Sequence, residues 1–131
     1  MKLVFTKMQG AGNDFVVLDC TQQPFSLDSY QLKKLADRHF GVGCDQVLVV
    51  EKPGGAGADF GYRIFNADGG EVEQCGNGAR CLARFLAPRF GSELTLASPA
   101  GAVAARVRSP DDVSVNLGVP DFRPAALPFL A

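Results

Sequence analysis

The sequence has 131 residues, 47% of them apolar, and a formal net charge of −1. That length fits one domain with a real core and not two, and so apolar a chain is not a disordered one. Lysine and arginine are scattered without a basic stripe, which argues against nucleic acid as the main partner.

Residues 1–7 lack a long apolar segment of the signal-peptide kind, and no apolar run approaches membrane-spanning length, so the cytoplasm is the expected compartment. The four cysteines are Cys20, Cys44, Cys75 and Cys81. No secretory context supports disulfides. With no Cys-x-x-Cys and a single histidine, His39, the sequence gives little support to a zinc site.

Residues 3–8 read as a short strand, residues 10–14 as a Gly-rich turn and residues 15–18 as a buried strand. Asp28 and Gln31 form a capping-box pattern. Leu32, Leu35, Ala36, His39 and Phe40 then recur at helical spacing, and Gly41 suits the C′ position of that helix. His39 reads as a packed or capping residue. Residues 46–51 form a valine-rich strand, 53–57 a hairpin loop and 59–65 the next strand. A turn over 66–70 leads to Cys75.

The helix after Cys75 is apolar on most sides and is expected to stop at Pro88. Only Arg80 and Arg84 give it a polar edge, so it should be buried with strands wrapped around it. Strands over 93–98, 102–108 and 113–117 follow, joined by turns. From Pro120 the chain is proline-rich and reads as an extended linker. Seven strands and two helices, without regular alternation, predict an α+β fold: a mostly antiparallel curved sheet around a central helix.

Cys75 precedes Gly76-Asn77-Gly78 at the expected helix N-terminus. Free backbone N–H groups and the helix dipole there favour a thiolate and can also hold a carboxylate. A buried structural cysteine is the competing reading. Cys81 reads as core; Cys20 and Cys44 are ambiguous. Asn13, Gln46, Asn66 and Asn77 each lie at a strand end or in a Gly-flanked turn. Ordinary turn chemistry explains them, but neutral amides so placed also suit a zwitterionic ligand.

Three blocks in order resemble the diaminopimelate epimerase family. They are Lys7-Met8-Gln9-Gly10-Ala11-Gly12-Asn13-Asp14-Phe15, Phe40-Gly41-Val42-Gly43-Cys44-Asp45-Gln46, and Arg63-Ile64-Phe65-Asn66-Ala67-Asp68-Gly69 continuing through Cys75-Gly76-Asn77-Gly78-Ala79-Arg80-Cys81. The resemblance implies epimerisation of LL-2,6-diaminopimelate to the meso form, in lysine and peptidoglycan-precursor synthesis, without pyridoxal phosphate or metal. One cysteine thiolate removes the α-proton and a second cysteine delivers one to the opposite face. Cys75 matches one of that pair, and Asn13, Gln46, Asn66, Gly76 and Asn77 match substrate-binding positions.

The resemblance further implies one of two similar domains, with residues 1–119 as the N-terminal epimerase domain and 120–131 as a linker toward the second. Family members are often homodimers. The family chain is roughly twice this length, and its second catalytic cysteine lies in the half that follows; Cys44 and Cys81 do not match it. A non-catalytic amino-acid-binding remnant is one alternative. A related cofactor-independent racemase or isomerase of the same fold is another.

Overall fold

Two uninterrupted apolar stretches, residues 15–18 and 47–50, decide the architecture. Strands apolar on both sides need a cover on each face. In a computed structural model, which describes residues 4–10, 12–53, 57–72, 76–98, 101–109 and 111–116, both stretches are fully buried. They lie in β2 (Asn13–Cys20) and β3 (Gln46–Glu51), which pair in parallel. Phe15, Val17, Leu48 and Val50 face one apolar layer; Val16, Leu18, Val47 and Val49 face the other.

The first layer is closed by α2 (Gly76–Phe90), whose Leu82, Ala83 and Leu86 are fully buried in it. Each leucine so placed contributes about 1.5–3 kcal/mol of burial. The second layer is closed by α1 (Ser29–Ala36) through Leu32 and Ala36, with Cys44 beside them. The predicted capping box is present: Gln31 N–H donates to Asp28 Oδ1 at 2.8 Å, and Asp28 N–H donates to Gln31 Oε1 at 2.9 Å.

The remaining strands are β1 (Thr6–Gly10), β4 (Phe60–Asn66), β5 (Glu71–Val72), β6 (Glu93–Ser98), β7 (Gly101–Ser109) and β8 (Asp112–Asn116). One sheet runs in the order β1-β2-β3-β4-β6-β7-β8, with β5 attached to β4. Pairing is antiparallel except at β2–β3 and β4–β6. Helix α2 touches both β1 and β8, the two edges of the order, so the sheet curls around it. The expected α+β fold with a mostly antiparallel curved sheet around a helix is what the chain adopts.

The structure departs from the local expectations at five points. The first strand is Thr6–Gly10 and not 3–8; Val4 and Phe5 precede it and are exposed. The first helix ends at Ala36, and His39 and Phe40 lie beyond it in solvent, Phe40 at 86% exposure. The cause is Asp37, whose carboxylate accepts from the N–H groups of His39 and Phe40 at 2.8 and 3.0 Å and draws the backbone out of the helix. Gly41 is not at C′: the chain doubles back, and Val42, Gly43 and Cys44 donate to the carbonyls of Leu35 and Ala36. A Cβ on Gly41 would meet the Lys34 carbonyl oxygen, so close approach requires glycine there. Helix α2 runs past Pro88 to Phe90 and ends at Gly91, whose φ of +138° lies in the left-handed region. Strand β5 was absent from the expected set; it is only two residues long, too short for a periodic signal. The expected linker over 120–131 and the 119/120 boundary lie outside the described residues.

Candidate active site

Strand register brings three of the predicted amides to one rim of the sheet. Phe15 pairs with Gln46, and Gln46 with Asn66, while Asn13 opens β2 two residues before Phe15. Gln46 Nε2 donates to Asn66 Oδ1 at 3.1 Å. Gln46 Oε1 is buried with no hydrogen-bond partner among the described residues. Such an acceptor is costly to leave unused, which is the usual sign of a group kept for a ligand or water.

The fourth amide arrives from the helix. Asn77, in the first turn of α2, donates through Nδ2 to Asn13 Oδ1 at 2.8 Å. Gly10 allows this approach, because a Cβ there would lie 2.8 Å from Cys81 Sγ on α2. Gly76 is the first residue of the helix. Asn13, Gln46, Asn66 and Asn77 therefore form two hydrogen-bonded pairs at the rim where α2 begins. Cys75, the residue before Gly76, lies outside the described residues.

An ionic cluster that the sequence reading missed supports this rim. Arg38 donates to both oxygens of Asp14, at 2.9 and 3.0 Å, and to Asp45 Oδ1 at 3.0 Å. Lys7 Nζ donates to Asp14 Oδ2 at 2.9 Å and to the Gly43 carbonyl. Asp14 and Asp45 also interlock: the Asp45 N–H donates to Asp14 Oδ1 at 2.8 Å, and the Asp14 N–H to Asp45 Oδ2 at 3.1 Å. The Arg38 guanidinium, followed by Lys7, holds the Asp14 carboxyl far below the usual carboxylate range, and Asp14 in turn raises Arg38. A signal was available: Asn13-Asp14 and Asp45-Gln46 place an acid beside a predicted amide at the start of each of two parallel strands.

The described cysteines are poor nucleophiles. Cys44 and Cys81 are buried at 2% and 3% exposure. Burial pushes the thiols of Cys44 and Cys20 up, and Glu51 and Asp19 add to the effect at Cys20. Cys81 packs in the α2 core, as expected. His39 is solvent-exposed beside Phe40 and is not packed in the core. Among the described residues, no group of three or more His, Cys, Asp or Glu side chains could hold a metal ion. No helix among them is long and apolar enough to cross a membrane.

A sequence model described as diaminopimelate epimerase matches residues 5–123. The chain belongs to the diaminopimelate epimerase family. It is 54% identical to a diaminopimelate epimerase of Azoarcus sp. (strain BH72) over 134 aligned positions, which cover 100% of this chain and 48% of the relative. The corresponding protein of Nitrosomonas europaea is also 54% identical, over 99% of this chain and 48% of its own length. The chain thus spans about half the length of the curated relatives it matches.

Solved structures of similar fold include methylitaconate-delta-isomerase, with a TM-score of 0.65 at 12% identity over 84% of this chain and 62% of that one. A hydroxyproline epimerase from Agrobacterium vitis gives 0.63 at 14% identity, over 85% of this chain and 40% of that one. A Bacillus anthracis protein of the PhzF family gives 0.57 at 20% identity, over 88% and 40%. At those identities the likeness concerns the fold, and it agrees with the curled α+β sheet described above.

Proposed function

We propose that this chain is the N-terminal half of a pyridoxal-phosphate-independent diaminopimelate epimerase and supplies one of its two catalytic cysteines, Cys75. The observation that carries the reading is the convergence of Asn13, Gln46, Asn66 and Asn77 on the rim where α2 starts, one residue after Cys75. Those four residues and Gly76 bind the amino acid.

The chemistry follows from the groups present. Amide N–H groups and the free N–H groups of a helix N-terminus are fixed donors for a carboxylate. The unpartnered Gln46 Oε1 suits an ammonium hydrogen. Amides keep both capacities without titrating. When the Cys75 thiolate removes the α-proton, charge develops on the substrate carboxylate, and preorganised donors stabilise it. The conjugate thiol returns a proton from that face in the reverse direction. A neutral thiol on the opposite face, supplied from outside this chain, completes the inversion. Like-charge repulsion favours one charged and one neutral sulfur across the site. A homodimer of the complete protein belongs to the same reading and rests on the family resemblance alone.

The test is incubation of the chain with LL-diaminopimelate in deuterated water, alone and with the C-terminal half of a full-length relative. Chiral separation and NMR at the α-carbons read the outcome. Meso product carrying deuterium only when both halves are present is expected. Turnover by the chain alone would contradict the half-site reading, and a mixture that assembles but stays inactive would contradict the activity.

A further inference from the structure

An asparagine amide has chemically opposite ends of nearly the same shape, so something must decide which end faces a ligand. At this rim the decision is made by charges outside the amide set. Asp45 Oδ2 accepts from Asn13 Nδ2 at 3.3 Å. Asn13 Oδ1 accepts from Asn77 Nδ2 at 2.8 Å. Asn77 Oδ1 accepts from Arg80 Nη1 at 3.2 Å. A carboxylate has no proton to give, so only the NH2 end of Asn13 can face it. A guanidinium has no lone pair to offer, so only the oxygen end of Asn77 can face it.

The two charged ends therefore impose the same direction on the whole row. Turning Asn13 over would set its oxygen against the Asp45 carboxylate and its nitrogen against Asn77 Nδ2. Turning Asn77 over would set its nitrogen against Arg80 and its oxygen against Asn13 Oδ1. Arg38 holds Asp45 from behind, through Oδ1. With the row so directed, each amide nitrogen keeps one N–H without a partner among the described residues.

We propose that Asp45 and Arg80 are positioning residues that lock the amides of Asn13 and Asn77 in a donor-presenting orientation for a substrate carboxylate. The ligand class rests on the function proposed above; the locking itself does not. Arg80 is the better residue to vary, because it is exposed and its substitution leaves the core intact.

The side-chain amide signals of Asn13 and Asn77 in the 131-residue chain read the lock directly. In Arg80→Met the Asn77 NH2 pair should move toward the values of a free amide and broaden, with an unchanged melting temperature. Arg80→Lys, which restores a cationic donor, should bring the pair back. In the two-half assay, Arg80→Met should lower kcat/KM for diaminopimelate roughly tenfold, the equivalent of one charge-assisted hydrogen bond, and Arg80→Lys should recover most of it. Asn77 signals that do not respond to Arg80→Met would overturn the lock, and kcat/KM equal in Arg80→Met and wild type would overturn its role in presenting donors to the substrate carboxylate. An inactive wild-type mixture would count against the proposed function alone, since the amide signals still decide the lock.

Discussion

Strands β2 and β3 change character within one residue. Residues 15–18 and 47–50 are buried and packed on both faces; immediately upstream, Asn13-Asp14 and Asp45-Gln46 form a partly exposed, polar and charged rim. The interior is held by non-directional burial, which tolerates exchange of one apolar side chain for another of similar volume. The rim is held by directional bonds between fixed donors and acceptors, where a change of one atom matters. The same two strands thus carry the stability in one stretch and the proposed binding geometry in the next. Damage to the first should unfold the chain, and damage to the second should leave a folded chain that binds poorly.

The largest effect is expected inside. Leu82→Ala, at a fully buried position of α2, should cost about 2–5 kcal/mol by urea denaturation. Gly10→Ala comes next, because the added methyl meets Cys81 Sγ where the rim and α2 touch. It should cost about 1–3 kcal/mol by overpacking. The double variant Gly10→Ala with Cys81→Ala should recover part of that, and a purely additive pair would show that the contact does not set the approach.

Asp14→Asn should cost about 1–2 kcal/mol, since it weakens bonds from two cations at a half-exposed rim. Asp14 also makes stability depend on pH. Its folded pKa lies below the unfolded value, so its contribution is present above about pH 4 and is lost as pH falls through the folded value. Acid titration of stability should therefore be flatter in Asp14→Asn than in wild type. The smallest effect belongs to Glu71→Gln, whose carboxylate bonds Arg63 and none of the four amides. Arg63 holds Glu71 by two bonds at 2.7 and 3.0 Å on a half-exposed surface. Its loss should cost about 0.5 kcal/mol, shrink further in salt, and leave epimerisation unchanged.

What could be read in advance divides along the same line. Residues 46–51 and 93–98 were legible because continuous or alternating apolar runs report burial locally. Asp28 and Gln31 announced the start of α1 because a capping box is a short-range device. The end of α1 was not legible: His39 and Phe40 continue the helical period, but Asp37 and the returning segment 42–44 take over the backbone partners. At the rim, the amides were visible as residue types at strand ends, and the resemblance singled out the same positions. Lys7 and Arg38 were not, because they reach Asp14 from β1 and from beyond α1, and only the folded chain brings those segments together.

The most direct test of the account is the alkylation rate of each cysteine as a function of pH, read by mass mapping. Cys75 should react first near neutral pH, with an apparent pKa below the ordinary thiol value of about 8.5, and its labelling should slow when diaminopimelate is added. Cys44 and Cys81 should stay inert behind their burial, and Cys20 should react only at higher pH. Labelling of Cys20 ahead of an inert Cys75 would contradict the placing of the reactive thiol at the head of α2.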